Sequence, residues 1–212
     1  MNQQHHDMVI FDLDGTLIDT SPGIYGSVRY AESRMGLKPV DDSLLSQFVG
    51  PPPKETYMRL YGLSEEKALD AARFHREYGM EKAIYEAEVY EGIPETLSSI
   101  RDRGYSIAVS TLKGQIIADR MLRLYELYNF FDVIVGMDMK ESLTKRDTIK
   151  IAMKHVGAVK AIMIGDSTYD YNGAKEAGTD FIGVTYGFGF SEVGLYPFQV
   201  IKKPSELLDI IV

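Results

Sequence analysis

Two aspartates, Asp12 and Asp14, follow almost directly on the apolar run Met8-Val9-Ile10-Phe11 and lead into Gly15-Thr16. A second pair, Asp166 and Asp170, follows the apolar run Ala161-Ile162-Met163-Ile164 across Gly165. Charged residues placed straight after buried-type runs have little structural purpose. The competing explanations are an Asp-Gly turn at the first pair and a helix N-cap at the second. Between the pairs lie Ser110-Thr111, with Lys113 just beyond, and then Lys145. Carboxylates crowded together repel unless a cation or a proton neutralises them. Magnesium suits such a set, because it is a hard ion that takes oxygen ligands and keeps several waters. Beside the metal, one carboxylate could attack phosphorus and form an aspartyl-phosphate. A second, two residues along and redirected by the glycine, could protonate the leaving oxygen and later deprotonate water. A hydroxyl and an ammonium would hold the equatorial phosphoryl oxygens.

These residues can meet only if strand ends converge. Met8 to Leu13 is almost wholly apolar, which reads as a parallel strand buried on both faces. Further strands are expected at Tyr105 to Thr111, Asp132 to Val135, Ala161 to Ile164 and Phe181 to Thr185. Helical patterns lie between them. From Gln115, the residues Ile117, Met121, Leu124, Tyr125 and Tyr128 fall on one face, and Ile149, Ala152, Met153 and Val156 repeat the pattern after Lys145. Gly104, Gly157 and Gly178 stand where helices should hand over to strands. Strands alternating with helices imply an α/β fold with a doubly wound parallel sheet, Rossmann-like, whose ligands sit at the carboxyl ends of the strands. Every candidate residue falls at such an end.

The stretch from Leu17 to Glu91 carries helical patterns and turn signals but no convincing strand. It is expected to be an inserted α-helical domain over residues 17–91, with the α/β core formed by 1–16 and 92–212. Thr20-Ser21-Pro22 opens it as a hydroxyl N-cap with proline at the first helical position. Gly50-Pro51-Pro52-Pro53 breaks it, and Glu91-Gly92-Ile93-Pro94 closes it.

Composition narrows the field. The 212 residues carry 23 basic against 31 acidic side chains, a net charge of −8, with no dense Lys/Arg block, which argues against nucleic acid as a partner. There is no cysteine, so disulfides, thiolate metal sites and Cys nucleophiles are excluded. The first seven residues are polar and unlike a secretory signal, and no apolar run approaches the roughly 18 residues of a membrane span. A cytoplasmic protein without membrane contact is expected, as a monomer or weak homodimer. His5 and His6 read as a fraying terminus. His75 and His155 read as packed or solvated helix residues, because no nucleophile accompanies them. Tyr186-Gly187-Phe188-Gly189 is glycine-rich but lacks the spacing of a nucleotide-binding loop.

Taken together, the motifs resemble the haloacid-dehalogenase superfamily of phosphohydrolases, over nearly the whole chain. Asp12-Leu13-Asp14-Gly15-Thr16 is similar to the family's first motif, in which the first aspartate is the nucleophile and the second the general acid/base. The resemblance implies that Asp12 and Asp166 ligate Mg2+ through side chains and Asp14 through its backbone carbonyl, with Asp170 positioning the metal directly or through water. Thr111 falls at the second motif as the phosphoryl-binding hydroxyl. Lys145 falls at the third, with Arg146 as the neighbouring alternative. Gly15, Thr16, Thr111 and Leu112 would bind substrate, joined by Lys54 after the triple proline, where relatives have a cap loop that touches substrate. Ala174, Ala177-Gly178, Gly183-Val184 and Tyr186 to Gly189 continue the pattern of the phosphoglycolate-phosphatase-like branch, which carries a helical cap between the first two motifs. Two departures stand out: Leu112 occupies a position usually held by Asn or Ser, and Arg146-Asp147 replaces the usual proline after Lys145.

The expected activity is magnesium-dependent hydrolysis of a small phosphorylated metabolite through an aspartyl-phosphate. A phosphomutase of the same superfamily and, in a different class, a phosphoacceptor regulatory or binding protein are the alternatives. A receiver-type phosphoacceptor pairs adjacent acids after its first strand, whereas Asp12 and Asp14 alternate here. A dehalogenase has no need of the second acid. An acidic chain does not attract phosphate at long range, so a bound cation must invert the field locally.

Overall fold

The structure, a computed structural model, describes residues 6–139, 142–190 and 194–211. The chain opens with β1 (Met8–Phe11) and β2 (Ile18–Asp19), followed by helices α1 (Ser21–Met35), α2 (Pro53–Tyr61) and α3 (Glu65–Glu81). After β3 (Glu88–Val89) strands and helices alternate: α4 (Ile93–Asp102), β4 (Ser106–Gly114), α5 (Gln115–Leu124), β5 (Val133–Met137), α6 (Lys145–Val156), β6 (Ala161–Gly165), α7 (Thr168–Ala177), β7 (Asp180–Val184) and β8 (Gln199–Ile201). It divides into two compact units, one of Met1–Ile18 with Val89–Val212 and one of Asp19–Glu88. No helix among the described residues is long and apolar enough to cross a membrane.

The first unit is built on a six-stranded sheet in the order β5-β4-β1-β6-β7-β8, with every neighbouring pair parallel. β1 lies at the centre, Met8 beside Ser106 and Ala161 and Phe11 beside Val109 and Ile164. Its four residues are all fully buried, which is why they read as one apolar run instead of alternating. The chain winds outward from β1 through β4 and β5, then returns to wind outward through β6, β7 and β8. The strand order therefore reverses between β1 and β6, and a crevice opens beyond their carboxyl ends. Beneath it, Met8, Ile10, Val135 and Met163 pack against Ile149 and Ala152 of α6 and Ala174 of α7.

In the second unit α1 and α3 pack together, with Ala31 of α1 and Ala68, Ala71 and Ala72 of α3 buried. The buried Glu32 carboxylate accepts two bonds from the Arg29 guanidinium at 2.8 and 2.9 Å, one from Val40 N at 2.8 Å and one from the Tyr61 hydroxyl at 2.5 Å. His75 is buried against Phe48 and Tyr57, its Nδ1 3.3 Å from the Tyr57 hydroxyl. His155, by contrast, is exposed.

Several local expectations need correction. α1 is not capped by the Thr20 hydroxyl; Asp19 Oδ1 accepts from Ser21 N at 2.9 Å and Ser21 Oγ at 2.7 Å. α5 stops at Leu124, and Glu126 turns to a positive φ of 59°, so the expected apolar face runs past the helix end. Its buried residues are Ala118, Met121 and Leu122, while Leu124 is exposed. β4 continues past Thr111 to Gly114, with its register to β5 broken between Ser110 and Gly114. β8 has three residues, too few for a pattern. His6 is not frayed, because its Nε2 lies 2.7 Å from Asp180 Oδ2; His5 lies outside the described residues.

Met163 of β6, beside Ile10 of β1, is fully buried in the core cluster with Ile149 and Ala152 of α6 and Ala174 of α7. Met163→Ala should cost about 2–5 kcal/mol, read as a lower urea midpoint with an unchanged slope.

Candidate active site

Asp12 is the first residue beyond β1, and its N–H donates to Ile164 O of β6 at 2.9 Å, which locks the two strand ends together. The chain then coils tightly: Leu17 N and Ile18 N both donate to Leu13 O at 3.1 Å, and Gly15 N donates to Ile18 O at 2.9 Å. Gly15 adopts φ +77°, and a Cβ there would stand 2.3 Å from Asp166 Oδ2, so glycine is required on two counts. Gly187 meets a similar limit, since its Cβ would lie 2.3 Å from Gly15 O and 2.4 Å from Asp166 Cβ. That close approach lets Phe188 N donate to Asp166 Oδ2 at 2.7 Å.

Asp12, Asp166 and Asp170 are each at most 4% exposed, and each offers an oxygen within 4.8 Å of the others. Asp170 is placed by the capping box of α7, in which its Oδ2 accepts from Ser167 N at 3.0 Å and Ser167 Oγ at 2.6 Å. Its other oxygen faces Lys145. The Lys145 ammonium donates to Asp12 Oδ1 at 2.5 Å and Ser110 O at 2.6 Å and lies 2.6 Å from Asp170 Oδ1. Lys145 arrives there as the first residue of α6, whose buried face is Lys145, Thr148, Ile149 and Ala152. Arg146, one residue round the helix, is exposed.

Charge and burial are in conflict at this point. Burial first, then repulsion from Asp170 and Asp14, pushes Asp12 up to about 7 although Lys145 opposes the change. Burial likewise raises Asp166 well above the usual carboxylate range, helped by Asp170 and Asp12. Burial works to lower the Lys145 ammonium, but Asp12 and Asp170 outweigh it and hold its pKa above the ordinary value. Three hard oxygen donors that are this close and this short of positive charge can hold a metal ion.

The remaining candidates divide. Asp14 is buried, and its carboxylate pairs with the Lys113 ammonium at 2.8 Å. Thr111 is buried, its hydroxyl accepting from Lys113 N at 3.1 Å. Thr16 is fully buried, and its hydroxyl has no hydrogen-bond partner among the described residues. Leu112 is half-buried on the extension of β4. Lys54 belongs to the helical unit, as the second residue of α2, and lies 3.1 Å from Glu65 Oε1. Two features went unassigned in the sequence, the partnership of Lys113 and the glycine contacts. Lys113 carried a signal in its position two residues past Thr111 on the strand line. Gly173 carried none; a Cβ there would lie 2.6 Å from Lys145 Cγ.

The sheet order, the acid cluster and its buried lysine define a hydrolase core of one known type. A model of the haloacid dehalogenase-like hydrolases matches residues 9–184, and the chain belongs to that family. Among solved structures it is similar to one described as a predicted phosphatase from Clostridium acetobutylicum, at 38% identity and a TM-score of 0.90, covering 97% of this chain and 98% of that one. It is 36% identical over 184 residues to a 5'-nucleotidase of Pseudomonas aeruginosa, covering 85% of this chain and 83% of the relative. It is 33% identical over 213 residues to the pyrophosphatase PpaX of Halalkalibacterium halodurans, covering 96% and 95%.

An alanine in a helix normally stabilises by up to about 1 kcal/mol over glycine. Gly173→Ala in α7 should do the opposite to function, displacing the Lys145 stem. We expect phosphatase activity to fall at least about tenfold, a barrier increase near 1.4 kcal/mol, with a folded circular dichroism spectrum retained.

Proposed function

We propose that this protein is a magnesium-dependent phosphatase that hydrolyses a small phosphorylated metabolite through an aspartyl-phosphate on Asp12. The observation that carries the reading is the buried Lys145 ammonium held between Asp12 and Asp170, with Asp166 in the same cluster and Asp14 on the next coil. Family membership together with the phosphatase-named relatives supports the class of reaction, hydrolysis of a phosphoric ester or anhydride. Asp12, Asp166 and Asp170 would hold the metal through side-chain oxygens and Asp14 through its backbone carbonyl, a donor set that fits a hard divalent cation. When bound, magnesium supplies positive charge to the phosphoryl oxygens and to the crowded acids.

The chain's own groups account for the rest. Lys145 orients the Asp12 carboxylate towards phosphorus and adds positive charge for the equatorial oxygens of the transferring group. Thr111 lies on the neighbouring strand β4, where a hydroxyl can bind the same oxygens, and the Thr16 hydroxyl, without a hydrogen-bond partner among the described residues, is a second candidate. Asp14 gives a proton to the leaving oxygen as the bond from Asp12 to phosphorus forms, then takes one from water as that bond is hydrolysed. The helical unit, with Lys54 as a candidate contact, is assigned the choice of leaving group. Nucleoside monophosphates and pyrophosphate head the substrate candidates, because relatives at 36% and 33% identity are named as a 5'-nucleotidase and a pyrophosphatase.

Phosphate release measured over nucleoside monophosphates, pyrophosphate, phosphoglycolate and sugar phosphates should identify at least one substrate with magnesium, and chelation should abolish its turnover. Asp12→Asn should lose roughly 10^4-fold or more of kcat. Undiminished release by that variant, or conversion of a sugar phosphate to its isomer without free phosphate, would rule the reading out.

A further inference from the structure

The Asp14 carboxylate is buried and presents both oxygens to a single cation: Lys113 Nζ lies 2.8 Å from Oδ1 and 3.2 Å from Oδ2. The lysine is only 15% exposed in its side chain and the aspartate 7%, so this is no loose surface pair. Lys113 reaches Asp14 because β4 lies next to β1 and runs three residues beyond Thr111. Its main chain is anchored on several sides. Lys113 N donates to Thr111 Oγ1 at 3.1 Å. Its carbonyl passes so near Gly136 of β5 that a Cβ there would lie 2.8 Å away. Gly114 is in register with Met137, and Gly136 N donates to the Gln115 side chain at 2.6 Å. A long, flexible side chain fixed at its base and paired at its tip loses rotamer freedom, and that cost needs a reason.

We infer that Lys113 is a positioning residue for Asp14 in both halves of the reaction, an inference that rests on the phosphatase reading above. In the first half, protonated Asp14 passes its proton to the leaving oxygen while the bond from phosphorus to that oxygen breaks and the Asp12 oxygen bonds to phosphorus. In the second, the Asp14 carboxylate takes a proton from water while the water oxygen bonds to phosphorus and the Asp12–phosphorus bond breaks, which releases phosphate and leaves Asp14 protonated for the next cycle. Both transfers require the carboxyl within hydrogen-bond reach of the oxygen that exchanges the proton. Asp14 stands on a tight coil next to a positive-φ glycine, and the Lys113 ammonium fixes where its carboxyl points. Lys145 serves Asp12 and Asp170, and Lys113 serves the acid/base, so the two lysines divide the site by role.

The test is a double-mutant cycle of Lys113→Met, Asp14→Asn and the pair, with an alkyl phosphate that the wild type cleaves and with p-nitrophenyl phosphate. Lys113→Met alone should lower kcat on the alkyl phosphate by about 10- to 100-fold, the cost of misplacing a catalytic group by about 1 Å, with KM within about twofold and partial recovery in Lys113→Arg. In the Asp14→Asn background the same change should alter the rate by less than about twofold, because the two residues act as a unit. With p-nitrophenyl phosphate, whose leaving group departs without a proton, the variant should keep its burst of p-nitrophenolate and accumulate phosphoenzyme. Equal losses in both backgrounds, or a raised KM with unchanged kcat, would make Lys113 a phosphate-binding group and overturn the inference. Lys113→Gln repeats the cycle should the methionine variant be unstable. A wild type that releases phosphate from no alkyl phosphate and from no p-nitrophenyl phosphate would instead sink the phosphatase reading.

Discussion

The structure depends on a repulsion. Asp12, Asp166 and Asp170 are buried within 4.8 Å of one another, and Asp14 is close enough to Asp12 to raise its pKa further. Protein burial of this kind is costly unless positive charge or hydrogen-bond donors are brought in. Each nearby element can be understood as bringing one. The first turn of α6 delivers Lys145, the extension of β4 delivers Lys113, the capping box of α7 satisfies one side of Asp170, and the glycine-rich turn after β7 supplies the Phe188 N–H to Asp166. Two ammonium groups against four carboxylates leave a deficit equal to the charge of one divalent cation.

Glu32 in the helical unit shows what a purely structural buried carboxylate looks like. Its oxygens are met by Arg29 Nη1, which reaches both of them, a backbone N–H and a tyrosine hydroxyl, so its charge is answered inside the protein. The core acids are answered only in part. The contrast separates a group that holds a fold together from groups whose electrostatic conflict, on the proposed reading, is retained because a ligand resolves it. It also gives the net charge of −8 a sharper sense: an acidic protein can bind a phosphorylated substrate when the binding charge comes from a local cation and the buried Lys145 instead of the surface.

Much of this was legible in the sequence where residue type and position were both informative. Aspartates straight after β1 and β6 stood out because buried strands are otherwise apolar. The periodicity of Ile149, Ala152 and Met153 fixed the phase of α6, and the same phase buries Lys145 and exposes Arg146. What escaped were relations between distant segments. The pairing of Lys113 with Asp14 spans 99 residues, and the passage of the Lys145 stem over Gly173 leaves no local trace. Short-range competition accounts for other misses. The first N–H of α1, from Ser21, is met by the Asp19 carboxylate and not by the Thr20 hydroxyl at the N-cap, and a helix stop at Leu124 truncates an apolar pattern that continues beyond it.

On the proposed reading, the acid cluster is destabilised until a divalent cation joins it. Because Asp12 sits at about 7 and Asp166 is also raised, the native state holds protons that the unfolded chain has lost, and metal-free stability should fall as pH rises from the ordinary carboxylate range through about 7. The direct measurement is the thermal midpoint with magnesium and with chelator, at about pH 8 and about pH 5.5. At the higher pH magnesium should raise the midpoint by several degrees, as expected from about 1–3 kcal/mol of binding linkage. At the lower pH protons already neutralise the cluster, and the shift should shrink. An identical midpoint with and without magnesium at the higher pH, or a larger shift at the lower one, would contradict the account.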